Sequence, residues 1–183
     1  MSAADALAVL KKVPLFSMLT ADEIRDIVAK TRIVHVEPGT EIFADAAPGD
    51  AMYVVIIGEM EIFKPIPTGG TRVLATLESR AVFGEMSLLT DEVRSAGARA
   101  KTKCSLLRID RAAFRERLQA NDIVALKMAA HLASVVAARL HAMDDEVVKL
   151  LSERSGPDRE ASTVPLYDIA EARDRVMMQW KVS

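Results

Sequence analysis

Apolar positions change their rhythm twice along the chain. Between residues 3 and 30 they follow helical spacing. Leu7, Leu10 and Val13 recur at intervals of three, and Pro14 stops the run. In "LTADEIRDIVAK", Thr20 stands three residues before Glu23, the arrangement of a capping box, and Ile24, Ile27 and Val28 form the stripe behind it. From 32 to 109 the period shortens. The runs "RIVHV", "EIF", "AMYVVII", "EMEIFK", "TRVLATL", "GARAKTK" and "CSLLRI" are rich in strand formers. Turns such as "EPGT" and "APGD" and the loop "PIPTGG" separate them, and seven of the eight glycines fall between 39 and 97. Short strands at near-regular spacing predict an antiparallel barrel or jelly roll.

From 111 the helical rhythm returns. Asp110 is placed to cap "RAAFRERL", and a longer helix follows Asn121. Along it Leu126, Ala129, Ala133, Val136, Leu140, Met143, Val147 and Leu150 alternate spacings of three and four, a heptad pattern. Two uses fit that pattern. The alanine-rich first half suits a helix lying on its own barrel. The larger residues from Val136 suit a two-chain seam, in which Arg139 and Asp144 would face each other across a parallel pair. The segment "SGPD" ends the helix, and "YDIAEARDRVMMQW" beyond it is a short amphipathic candidate with Ile169, Val176 and Trp180 on one face. The expected fold class is therefore α+β: an antiparallel β-roll with N-terminal helices and a long C-terminal dimerisation helix. The expected divisions are 1–120 for the roll and flanking helices, 121–154 for the long helix and 155–183 for the tail.

Composition narrows the field. Half of the 183 residues are hydrophobic and the formal net charge is −2, which argues for a soluble globular chain and against a polyanion binder. Cys104 is the only cysteine, so no internal disulfide forms; it reads as a small buried hydrophobe in a reducing, cytoplasmic setting. "MSAADALAVLKK" lacks a basic n-region, and the longest uncharged run, "MAAHLASVVAA", is too short to span a bilayer. His35, His131 and His141 are scattered and make no metal set, and no nucleophile–base arrangement is evident. Neither an enzyme nor a cofactor is expected.

One stretch carries chemistry. In "FGEMSLLTDEVRSA", Gly84 lets the backbone approach a ligand, and the helical turn from Glu85 through Met86 and Ser87 aims amides at the same spot. Arg94 supplies a planar cation suited to phosphate, and Ser95 a hydroxyl. Glu85 would repel a phosphate but would accept from a neighbouring hydroxyl. Phosphate and ribose hydroxyl side by side describe a nucleotide. A glycine turn with an incidental surface ion pair accounts for the same residues.

The same stretch, continued to "GARAKTKCSLLRI", resembles the phosphate-binding cassette of cyclic nucleotide-binding domains, as in catabolite gene activators and protein kinase A regulatory subunits. "EPGTEIFADAAPGDAMYVVIIGEMEIF" resembles their β-roll. The resemblance covers residues 7 to about 150. It implies that the amides of Gly84, Glu85, Met86 and Ser87 contact a cyclic phosphate, with Ala96 closing the motif after Ser95. Arg94 would neutralise the phosphate, Ser95 would donate to it, and Glu85 would accept from the 2′-OH. Leu74 would wall the base, or be ordinary core. Ser95, where threonine often accompanies guanine, leans towards cAMP over cGMP. Three departures stand out: Arg80 and Ala81 where glycine is frequent, Gly97 where a bulkier residue is usual, and Met143 and Asp144 near the level of a purine-contacting Thr-Ser pair. The remaining 29 residues are too few for a helix-turn-helix domain, so DNA is not expected. Two functions follow: a dimeric cAMP sensor acting through an unknown partner protein and a Leu126–Leu150 homodimer, or a nucleotide-independent interaction module on the same fold.

Overall fold

A computed structural model describes residues 3–67 and 69–154. The chain divides into two compact units, 1–132 and 133–183. Within the first unit, eight strands form two antiparallel sheets: β1 (Arg32–Val36), β2 (Glu41–Phe43), β3 (Ala51–Ile57), β4 (Met60–Pro65), β5 (Thr71–Leu77), β6 (Val82–Phe83), β7 (Gly97–Ala100) and β8 (Cys104–Asp110). One sheet runs β1-β8-β3-β6 and the other β2-β7-β4-β5. The expected antiparallel roll is therefore present, with the short β6 added.

The continuous apolar run of β3 follows from its position. Met52, Val54 and Ile56 face the helices and belong to the main core, while Tyr53 packs on Phe43 of the other sheet. Both faces of this strand are covered, so both must be apolar. The helices over the sheet are α1 (Ala3–Leu10), α2 (Ala21–Ala29), α4 (Arg111–Gln119) and the start of α5 (Ile123–Arg154); α3 (Met86–Leu89) lies in the cassette. Pro14 opens a 3-10 turn, Pro14–Phe16, that buries Leu15 and Phe16. Thr20 and Glu23 form the expected reciprocal cap.

One helix start differs from expectation, and the other follows Asn121 as expected. Asp110 occupies the N-cap position of α4, but its carboxylate accepts from Arg108 and caps nothing. The long helix is capped by Asp122, whose Oδ1 accepts from the amides of Val124 at 2.9 Å and Ala125 at 3.0 Å. Asn121 precedes it with a left-handed φ of 56° and belongs to the turn. In the first three turns of α5, Val124, Ala125, Met128 and Leu132 enter the chain's own core, while Leu126 remains 42% exposed. That part thus takes the barrel-covering role on a face next to the heptad stripe. Helix α5 continues through residues 133–154 in the second unit. The amphipathic candidate ending at Trp180 lies outside the described residues.

Candidate functional site

Strand β6 delivers the chain to Gly84, whose φ of +69° lies in the left-handed region. A β-carbon there would also fall 2.5 Å from Arg94 Nη1. Backbone and space therefore both call for glycine. The turn leads into α3, where the side chain of Ser87 points inward. Its hydroxyl lies 2.7 Å from the Gly84 carbonyl and 3.0 Å from that of Ala51, and it accepts from Arg94 Nη1 at 3.0 Å.

Arg94 is the centre of this arrangement. Its side chain is 3% exposed. Nη1 also donates to Gly84 O at 3.0 Å, and Nη2 donates to Ala51 O at 2.7 Å and Asp50 Oδ1 at 3.2 Å. The guanidinium lies 4.0 Å over the Phe43 ring, which joins Tyr53 and Phe83 in an aromatic floor. Its Nε is buried and has no acceptor. Burial lowers the Arg94 pKa below the ordinary arginine value, against the opposing pull of Tyr53, Asp50 and Glu85. The arginine nevertheless remains a cation at neutral pH. Its backbone is also fixed: Arg94 N donates to Ala47 O at 2.8 Å and Ala46 N to Arg94 O at 3.0 Å.

The structure brings Gly84, Glu85, Ser87 and Arg94 into one largely buried cluster, with Glu85 only 2% exposed. Met86 and Ser95 flank it at the surface, and Ala96 is buried where β7 begins. Leu74 is buried in β5 at a bulge, between the pairs Ile62↔Ala75 and Phe63↔Val73. Asp91, at the end of the cassette, pairs with Arg111 at 3.3 Å and Arg115 at 2.8 Å on α4.

Sequence reasoning missed Asp50, which reaches Arg94 with one carboxylate oxygen and Arg108 Nη2, at 2.7 Å, with the other. The segment "APGD" held the signal. A β-carbon on Gly49 would fall 2.4 Å from Ser87 Cβ, so this turn must press against the cassette. Two of the departures noted in the sequence also acquire a physical form. Arg80 takes the left-handed conformation that glycine favours, with φ +79°. At Gly97 the missing bulk is supplied from the opposite strand, since a β-carbon there would meet the Phe63 ring at 2.5 Å. Among the described residues no cluster of metal-ligating side chains occurs, and no single helix is long and apolar enough to cross a membrane.

Comparison with known proteins places these features. Residues 33–121 match the family model of the cyclic nucleotide-binding domain. The chain is 36% identical over 153 residues to the cyclic AMP receptor protein of Thermus thermophilus, covering 83% of this chain and 68% of that protein. It is 37% identical over 109 residues to the cAMP-dependent protein kinase regulatory subunit of Yarrowia lipolytica, covering 60% of this chain and 28% of that one. A crystal structure of Thermus thermophilus catabolite activator protein superposes with a TM-score of 0.66 at 26% identity, over 90% of this chain and 83% of its own. The chain spans less than a third of the length of the first curated relatives it matches.

Proposed function

The chain belongs to the cyclic nucleotide-binding domain family, and we propose that it is a cAMP sensor: a dimeric regulatory protein that acts through a partner protein and catalyses no reaction. The observation that carries this reading is the cassette itself. A left-handed glycine, a short helical turn and a buried arginine converge on one point, and that convergence suits an anion. The cyclic phosphate is received by the amides of Gly84, Glu85, Met86 and Ser87 and neutralised by Arg94. Ser95 donates to it, Glu85 accepts from the ribose 2′-OH, and Leu74 walls the base. Ser95 supports cAMP over cGMP. The relatives named for cyclic AMP support the same ligand.

The output runs through α5. The seam from Leu126 to Leu150 pairs two copies in parallel, and the nucleotide biases one arrangement of this helix over another, a coupling of about 1–3 kcal/mol. DNA and membrane are not partners in this reading, and the setting is cytoplasmic. Leu140→Asp with Val147→Asp gives monomers that still bind nucleotide; a wild type that sediments as a monomer at tens of micromolar removes the seam.

A second reading has an observation of its own. Both terminal nitrogens of Arg94 already have acceptors within the chain, so the fold satisfies most of the guanidinium without a ligand. In that reading the roll is a nucleotide-independent scaffold. Thermal unfolding separates the two. cAMP at 100 times its Kd stabilises a sensor by about 2.7 kcal/mol, with less from cGMP at equal concentration. An unchanged Tm with millimolar cAMP leaves the scaffold.

A further inference from the structure

We propose that Lys64 and Asp45 form a charge-setting pair in the wall beside the phosphate seat. Lys64 cancels a carboxylate that would otherwise repel the incoming cyclic phosphate, and so acts on the ligand through Asp45. The proposal rests on the reading of the cassette as a phosphate seat.

The register places the pair. Phe43 is opposite Ala98 and packs its ring on Tyr53 and Phe83 of the other sheet, so Ala98 faces the space between the sheets. Ile62 is opposite Ala98 and Phe63 opposite Gly97, with no shift between them. Lys64, two residues beyond Ile62, therefore returns to the inner face at the level of Ala96. Ala96 directly follows Ser95 of the cassette. Asp45 comes from the β2–β3 connection, whose next two residues bracket the Arg94 backbone through Ala46 N→Arg94 O and Arg94 N→Ala47 O. Lys64 Nζ lies 3.3 Å from Asp45 Oδ1 and 3.4 Å from Oδ2. The two side chains are only 25% and 19% exposed. Oδ1 is sealed from solvent and has no donor in hydrogen-bonding alignment, so the ion pair is its compensation.

The charges nearby explain why this compensation reaches the ligand. Arg94 already faces Asp50, and Glu85 is buried beside it. Arg108 is engaged by Asp50 and Asp110. Without the Lys64 ammonium, an uncompensated Asp45 would add its charge to a site whose arginine already meets Asp50 and Glu85, before the ligand's own negative charge arrived. At partly buried sites such interactions remain strong over several ångströms. Arg72 stands opposite Lys64 on β5 but is exposed, where water and salt screen it.

The test is calorimetric titration of cAMP into wild type, Lys64→Met, Lys64→Arg, Asp45→Asn and the double variant Asp45→Asn/Lys64→Met, with melting curves to verify folding. Lys64→Met is expected to weaken cAMP at least tenfold, and Lys64→Arg to stay within threefold of wild type. Asp45→Asn is expected to bind at least as tightly as wild type, and the double variant to return within threefold of it. A double variant as weak as Lys64→Met overturns the proposal, because the ammonium would then act independently of Asp45. Wild-type affinity in Lys64→Met overturns it too, as does a tenfold loss in Asp45→Asn. If Lys64→Met fails to fold, Asp45→Asn and the double variant carry the decision. A wild type that does not bind cAMP removes the phosphate-seat reading itself, an outcome distinct from binding without the predicted rescue.

Discussion

Two buried regions of the 1–132 unit are built in opposite ways. Beneath the helices, Leu10, Phe16, Ile24, Met52, Val54, Leu107 and Leu132 form part of an entirely apolar core. Around Arg94, the buried groups are a guanidinium, a hydroxyl, a carboxylate and main-chain carbonyls held by directed bonds. Helix α3 joins the two: Leu88 belongs to the core, while its neighbour Ser87 holds Arg94. An apolar core gains from contact area and tolerates change in proportion to volume. A polar cluster depends on individual partners, and partners can be exchanged. A ligand with better acceptors than two carbonyls and Asp50 can recruit the arginine without disturbing the core.

The contrast breaks most sharply at Arg94. Arg94→Met keeps the stack on Phe43 but removes the charge. The Ser87 hydroxyl has one proton and can serve only one of the Gly84 and Ala51 carbonyls at a time, so stability should fall by about 1–3 kcal/mol. The affinity for cAMP should fall by about 2–5 kcal/mol. Leu107→Ala should do the reverse. Leu107 is fully buried, so its truncation should lower unfolding free energy by about 3 kcal/mol, while the folded protein binds as before. Urea denaturation and calorimetry on both variants test the division. A variant that loses both properties equally shows that cluster and core are not separable.

Asp122 tests a boundary between these regimes, where polar bonds hold apolar elements in place. Its carboxylate caps α5 and receives Arg117 Nη2 at 3.0 Å, and Arg117 also binds Asp26 on α2 at 2.7 Å. Burial acts to raise its pKa, but the amides of Ala125 and Val124 and the guanidinium of Arg117 outweigh it, and the value lies below the ordinary 3.8. A lowered folded pKa contributes stability that is fully present above the unfolded value and fades as pH falls through the folded one. Asp122→Ala should therefore cost about 1–2 kcal/mol at pH 7. The gap from wild type should narrow as pH falls below 3.8. A gap that stays constant down to pH 2 assigns the loss to packing instead.

The same contrast explains what could be read from the sequence. The roll was legible because β-branched runs and glycine turns report local preference, and the Thr20 cap because its partners lie three residues apart. The Gly84–Arg94 cassette was legible because its parts are close in sequence. Asp50 was not, since it meets Arg94 across 44 residues. Asp110 stands where a cap belongs, yet its carboxylate is taken by Arg108 two residues back in the extended strand. The two-residue strand β6 carries no periodicity at all. In α5 the burial of Val124, Ala125, Met128 and Leu132 depends on where α1, α2 and the sheet lie, which no heptad count contains.

The smallest expected effect lies just upstream of the cassette. Residues 78–81 form a turn closed by Ala81 N→Glu78 O at 3.0 Å, with Arg80 at its third position and φ +79°. A left-handed third position is the mark of a type II turn, where glycine is favoured. An L-residue there costs about 1–2 kcal/mol. The Arg80 side chain is exposed and forms no ion pair among the described residues, so the side chain does nothing to offset that strain. Its amide does have a role, donating to Val55 O at 2.7 Å, and glycine would keep it. Arg80→Gly relieves the backbone but gives the unfolded chain more freedom, worth about 0.5–1 kcal/mol in the other direction. The net should be stabilisation of up to about 1 kcal/mol in urea, with cAMP affinity unchanged. Unchanged affinity means the strain ends in β6, before Gly84. Altered affinity means the turn and the cassette are one mechanical unit, and the polar cluster then extends back along β6 to residue 80.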